Sequence, residues 1–121
     1  MQTGIEQRLM CVVAAIGLTA CASAPTQQMG ESQATVTAAE SVGAQKYPRA
    51  AYHLELAKQQ IADAKPLMDG DNDEAEAAQR LLLRAQIDAE LAIQMAETEE
   101  ARVKAKQAWA EVRELQNEGG K

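Results

Sequence analysis

From Asn72 to Asn117 the chain runs without a single Gly or Pro, and Ala recurs at 75, 78, 85, 89, 92 and 96. With Leu82 in the gap, the steps alternate between 3 and 4. That spacing lines up one narrow apolar stripe on a helix. Ala, Glu, Gln, Arg and Leu dominate the stretch, and all are strong helix formers. At 1.5 Å per residue such a helix is about 70 Å long. Propensity alone rarely holds so long a helix in water, so its stripe must lie against a partner. The predicted fold class is all-α.

Composition limits what that partner can be. The chain has 121 residues, enough for one small domain. Hydrophobic residues make up 46% of it, but nearly half of these are Ala, Phe is absent, and there are two Tyr and one Trp. Thin Ala-lined seams between helices are expected in place of a deep core. The formal net charge of −6 gives no phosphate-binding footprint, so nucleic acid is not an expected partner.

Residues 1–20 read as a leader, set apart from the fold. Arg8 precedes an apolar run from Leu9 to Leu18, which is shorter than the roughly 20 apolar residues a membrane-spanning helix needs. Leu18-Thr19-Ala20-Cys21 resembles the lipobox of bacterial lipoproteins. Small residues there fit a signal peptidase, and the Cys thiolate takes up diacylglycerol. The resemblance implies cleavage before Cys21 and acylation of its sulfur and new amino group, which anchors the chain in membrane lipid. The competing readings are an ordinary secretory signal cut near Ala22 to Ala24 and a retained membrane anchor. Ala22, rather than Asp, follows the Cys, which in such lipoproteins implies the outer membrane, facing the periplasm. Cys11 falls within the apolar run.

Residues 21–33 are expected to be a flexible tether, small and polar with Pro25 and Gly30. The helical domain is placed at 34–117 and a frayed tail at 118–121. A weak first helix spans Val36 to Ala44, interrupted by Gly43 and Pro48. Pro48 either opens the next helix after a loop or kinks two helices together, and a break is the favoured reading. The second helix runs from Pro48 to Met68 with the stripe Tyr47, Ala51, Leu54, Ala57, Ile61, Ala64 and Met68, and Pro66 bends its last turn. Gly70 is expected to end it in a left-handed conformation. Asp71 and Glu74 have the spacing of a capping box for the long helix.

The short connection folds the second helix back on the long one as an antiparallel, coiled-coil-like hairpin with an Ala-rich seam. Residue i then faces about 141 − i. The interruption at Gly43 to Pro48 lies opposite residues 93–98, where the Ala stripe also loses its register. It resumes as Ala101, Ala105, Ala108, Val112 and Leu115 after a step of five. If the first helix continues the second past a kink, it covers the long helix to about residue 107, and the last turns overhang.

No catalytic constellation emerges, and neither an enzyme activity, a metal nor a cofactor is expected. Asp69, Asp71 and Asp73 open like a Ca²⁺ loop, but Glu74 replaces the required Gly and Arg80 the closing Glu. His53 is the only His, with no second His or Cys nearby in sequence. Glu100 and Lys104 form an i,i+4 pair, as do Arg84 and Asp88. Arg80 and Arg84 share a face that reads as solvated, or as meeting anionic lipid or glycan. Trp109 is the best single candidate for contact with a partner, with packing across the hairpin the competing and preferred reading.

The residues Ala39 to Ala44, the Tyr47-Pro48 break, Leu54, Ala57, Ile61, Ala64, the Gly70-Asp71 turn and the Ala ladder from Ala75 through Ala92 resemble the small bacterial lipoproteins grouped as domain of unknown function 4398. The resemblance covers Thr37 to Glu97. It implies an envelope lipoprotein with a helical hairpin and carries no catalytic residue. The layout is also loosely similar to the murein lipoproteins, but Lys121 follows Gly119-Gly120 without their Tyr-Arg, which weighs against a peptidoglycan link. The expected function is a structural or adaptor lipoprotein that engages an envelope protein through exposed helix faces. The alternative is a homo-oligomeric coiled-coil spacer that contacts peptidoglycan.

Overall fold

A computed structural model describes residues 24–120. Leu18, Thr19, Ala20, Cys21 and Lys121 lie outside the described residues. Among the described residues three helices make up the fold: α1 (Pro25–Ser41), α2 (Pro48–Ala64) and α3 (Asn72–Gly119), joined by single 3-10 turns at Ala44–Lys46 and Lys65–Leu67.

α1 is longer than its sequence suggests. Residues 25–33, expected in the tether, are helical. Pro25 sits in the first turn, where its missing N–H costs nothing. The Ala24 carbonyl accepts from the N–H groups of Gln27 (2.9 Å) and Gln28 (3.1 Å). Met29, Ser32, Val36 and Ala39, at steps of 3, 4 and 3, are buried. Ser32 hides the stripe from a hydropathy reading. Its hydroxyl is buried and donates to the Leu82 carbonyl of α3 at 2.9 Å.

The chain then reverses. Val42 and Gly43 donate back to Ala38 and Glu40, and Gly43 takes a left-handed φ of 78°. A side chain there would be strained, which is why Gly stands at this point. Tyr47 is extended, as a residue before Pro must be, and Pro48 opens α2. The chain is therefore broken here, not kinked, and α1 does not run on past α2. It packs against α3 instead, so the expected hairpin with a short extra helix becomes a bundle of three helices. The reason is Gly43, whose positive φ turns the chain back on itself.

Contacts climb α3 along α1 and descend it along α2. Ser32 of α1 meets Leu82, and the Gly43–Tyr47 reversal reaches the level of Gln94 and Thr98. On α2, His53 pairs with Asp88, in keeping with the mirror spacing of 141. α2 buries Ala50, Leu54, Ala57, Ile61 and Ala64; Ala50, not Ala51, opens its seam. α3 contributes Ala78, Leu82, Ala85, Ala89, Ala92 and Ala96. Among the described residues, ten of the fifteen buried apolar side chains are Ala, and Leu54 and Leu82 are the largest fully buried ones. Small side chains let helix axes approach closely, so the seams are thin.

At the α2–α3 turn, Pro66 ends the α-helix and a 3-10 turn follows. Asp71 caps α3: its Oδ1 accepts from the N–H groups of Asp73 (3.1 Å) and Glu74 (3.0 Å). Glu74 Oε2 in return accepts from the Asp71 N–H at 3.3 Å. Gly70 is not left-handed, contrary to expectation; among the described residues only Gly43 has a positive φ. Gly is needed at 70 for another reason. The returning Glu74 carboxylate occupies the space a Cβ would fill.

α3 continues unbroken through Gly119, past the expected tail boundary. From Ala101 onward every described residue of it is exposed.

Candidate functional site

α3 carries two stripes. The inner one, ending at Ala96, is covered by α1 and α2. Counting back from Leu115 at alternating steps of 3 and 4 gives Val112, Ala108, Ala105, Ala101, Thr98, Gln94, Leu91 and Ile87. Every one of these is exposed. The step of five between Ala96 and Ala101 is therefore no gap in one stripe. It is the handover between two stripes that overlap from Ile87 to Ala96. At about 100° per residue, the outer stripe lies about 160° around the helix from the inner one at the level where both run.

Among the described residues, four of the eight large exposed hydrophobic side chains lie in the outer seam. Ile87 is 56% exposed, Leu115 67%, and Leu91 and Val112 are also open to solvent. Trp109 flanks it and is 66% exposed. The preferred expectation that Trp109 packs across the hairpin is thus corrected: α1 and α2 end at about the level of Thr98, and among the described residues nothing reaches so far along α3. Arg80 and Arg84 continue the same spacing at the other end of the seam. Both are exposed, and Arg80 pairs with Glu76 one turn before it. All three residues singled out from sequence therefore belong to one face of α3. The seam between them was missed. Its signal was the unbroken alternation of 3 and 4 back from Ala101, masked by the polar Gln94 and Thr98.

Charges along this part of α3 are held by neighbours on the same helix. Arg102 bonds Glu99 at 2.7 Å and Lys104 bonds Glu100 at 2.7 Å. The hydrogen bond from Lys104 lowers the Glu100 pKa below 4.5, and the same bond raises that of Lys104 above 10.5. Both pairs are exposed and weakly held, so either can exchange partners.

Between the helices the polar groups serve packing. Asp88 does not pair with Arg84, as its spacing suggested, but with α2. The Nδ1–H of His53 donates to Asp88 Oδ1 (2.9 Å), and Gln60 Nε2 donates to Oδ2 (2.9 Å). Lys58 ties α2 to α1 through Glu40 (2.8 Å) and to its own helix through Glu55 (3.0 Å). Those hydrogen bonds, Glu40 first, raise the Lys58 pKa above 10.5.

A groove of about 340 Å³ opens where the bundle ends, lined by Tyr47, Pro48 and Ala50 on one side and Met95, Thr98 and Arg102 on the other. The Thr98 hydroxyl is engaged by the Gln94 carbonyl at 2.7 Å. Among the described residues no three His, Cys, Asp or Glu side chains converge as a metal site. No described helix is long and apolar enough to cross a membrane.

A family model described as a domain of unknown function, DUF4398, matches residues 27–108. No curated protein and no solved structure matches the chain.

Proposed function

The chain belongs to the DUF4398 family, and we propose that it is a non-catalytic bacterial envelope lipoprotein, anchored through acylated Cys21 in the outer membrane and facing the periplasm. It acts as a structural or adaptor element. Its working surface is the outer face of α3, from Arg80 and Arg84 at one end to Trp109 and Leu115 at the other. The α2–α3 pair is a coiled-coil-like hairpin with an Ala-lined seam, and α1 completes the bundle.

The observation that carries this reading is the direction of α1. It begins four residues after Cys21 and lies alongside α3 in the same sense, as the Ser32–Leu82 bond and the reversal at Gly43 require. The start of α1 and the bare end of α3 are therefore at opposite ends of the bundle. Beyond Arg102, the last residue of α3 to line the groove with Tyr47 and Pro48, residues 103–119 stand clear of the bundle for about 25 Å. A helix that carries an apolar face so far past its own partners presents that face to something else.

The test is the mass of the mature amino-terminal peptide together with membrane fractionation. A peptide that begins at Cys21 and carries acyl chains, in a protein that stays with outer membranes through salt washes, is expected. Cys21→Ser should abolish acylation. An unacylated mature protein that washes off in plain buffer overturns the anchoring. Crosslinking in cells from position 109 then reads the partner of the α3 face.

A further inference from the structure

We propose that the outer seam of α3 is closed by a second copy of this chain, α3 against α3, parallel and in register from Ile87 to Leu115. The direction rests on the anchoring proposed above, because two copies held in one membrane by their amino-terminal ends bring their α3 helices up side by side. The pairing itself rests on the seam.

Alternation of 3 and 4 over this length is the heptad pattern of a coiled coil. The contact runs about 43 Å. α1 and α2 cover the opposite side of α3; the start of α2 comes near the seam only at the groove it lines with Gln94 and Thr98, and both of these stay exposed. Ala101, Ala105 and Ala108 let the two backbones come close.

The two polar positions select the occupant. Gln94 carries both donors and an acceptor, so in register it bonds its own copy, whereas an apolar foreign groove leaves it unpaired. Thr98 is likewise matched by Thr98 of the second copy. A polar residue at a core position sets register in coiled coils, and here two adjacent layers are polar.

Flanking charges agree. In a parallel pair, each flanking residue on one helix meets the residue five positions further on its partner. Glu97 then meets Arg102 of the second copy, and Lys104 meets the face of its Trp109. Each contact occurs twice by symmetry. Glu90 meets Met95 and Glu111 meets Gln116, so no like charges face each other along the contact. An antiparallel pair that matches Gln94 with Thr98 sets Glu97 against its own copy. Toward the bundle's far end the next seam positions are Arg84 and Arg80. Like charges would face there, so the contact stops at Ile87.

Disulfide trapping of the full-length chain in the bacterial envelope tests this. Ala101→Cys and Ala108→Cys lie in the seam, whereas Ala110→Cys faces away from it. Under mild oxidation the two seam variants are expected to give a disulfide dimer at least tenfold above Ala110→Cys. Val112→Glu with Leu115→Glu, added to Ala108→Cys, should lower that yield at least tenfold; both side chains are exposed in the single chain, so helix content is expected to hold. Equal trapping at 108 and 110, or none at either, overturns the pairing. A disulfide between Ala101→Cys and Leu91→Cys chains that exceeds both self-pairs overturns the parallel register. An acylated chain that yields no seam dimer removes the pairing alone. A chain that dimerises but washes off membranes removes the anchoring alone.

Discussion

His53 of α2 and Asp88 of α3 meet at 2.9 Å, and the same carboxylate takes a second hydrogen bond from Gln60. Asp88 thus joins two turns of α2 to the long helix at half-buried positions. Its removal strands both donors, while the Gln60 Oε1 atom is already buried without a partner. Asp88→Ala is expected to cost about 1–3 kcal/mol of unfolding free energy. Arg84→Ala, on the exposed face, should change little. Urea denaturation of both variants distinguishes this cross-helix role from the i,i+4 pair that the sequence suggested.

The two stripes of α3 predict opposite responses to the same change. Ala89 is fully buried in the seam under α1 and α2. Ala89→Leu adds volume where helices already touch and should cost about 1–3 kcal/mol. Ala108→Leu adds the same volume to a bare surface. In a single chain it is neutral or slightly favourable, and in the paired state it alters the dimer, not the fold. Thermal unfolding at several protein concentrations separates the two effects.

Two glycines fail for different reasons when substituted. Gly43→Ala must hold a left-handed backbone, at a cost of about 1–2 kcal/mol. Gly70→Ala meets the Glu74 carboxylate and breaks half of the capping box, at a cost of about 0.5–2 kcal/mol. Combining Gly70→Ala with Glu74→Ala removes the carboxylate and leaves only the residue-74 Cβ, 2.7 Å from the new methyl, so the double variant should lose less than the sum of the singles. Gly43→Ala has no such rescue. A double-variant cycle measured by chemical denaturation checks this.

Lys58 ties α1 to α2 with a pKa held above 10.5 by Glu40 and Glu55. A raised cation pKa means that folding favours the protonated form. Its contribution is therefore complete below pH 10.5 and lost as pH rises through the raised value. Because the pair is partly exposed, it is worth only a few tenths of a kcal/mol. Lys58→Met should be less stable than the parent at pH 8 by that amount, and the difference should close as pH rises past 10.5 through the raised Lys58 pKa.

The helical class, the length and start of α3, the Asp71–Glu74 cap and the facing of α2 by the first half of α3 were all legible in the chain. Each depends on residues near one another in sequence, where spacing and local hydrogen bonding decide the outcome. The path of α1 was not legible. Its buried face includes Ser32, which reads as polar until the Leu82 carbonyl supplies its partner. Gly43 could end, kink or reverse a helix, and only burial of Met29, Val36 and Ala39 against the other two helices selects reversal. The outer seam shows the same division. Its 3-and-4 spacing is written in the residues from Ile87 to Leu115, but spacing alone does not tell a covered stripe from a bare one. That was decided by where α1 and α2 stop, because a stripe is buried only when another element lies within van der Waals reach of it.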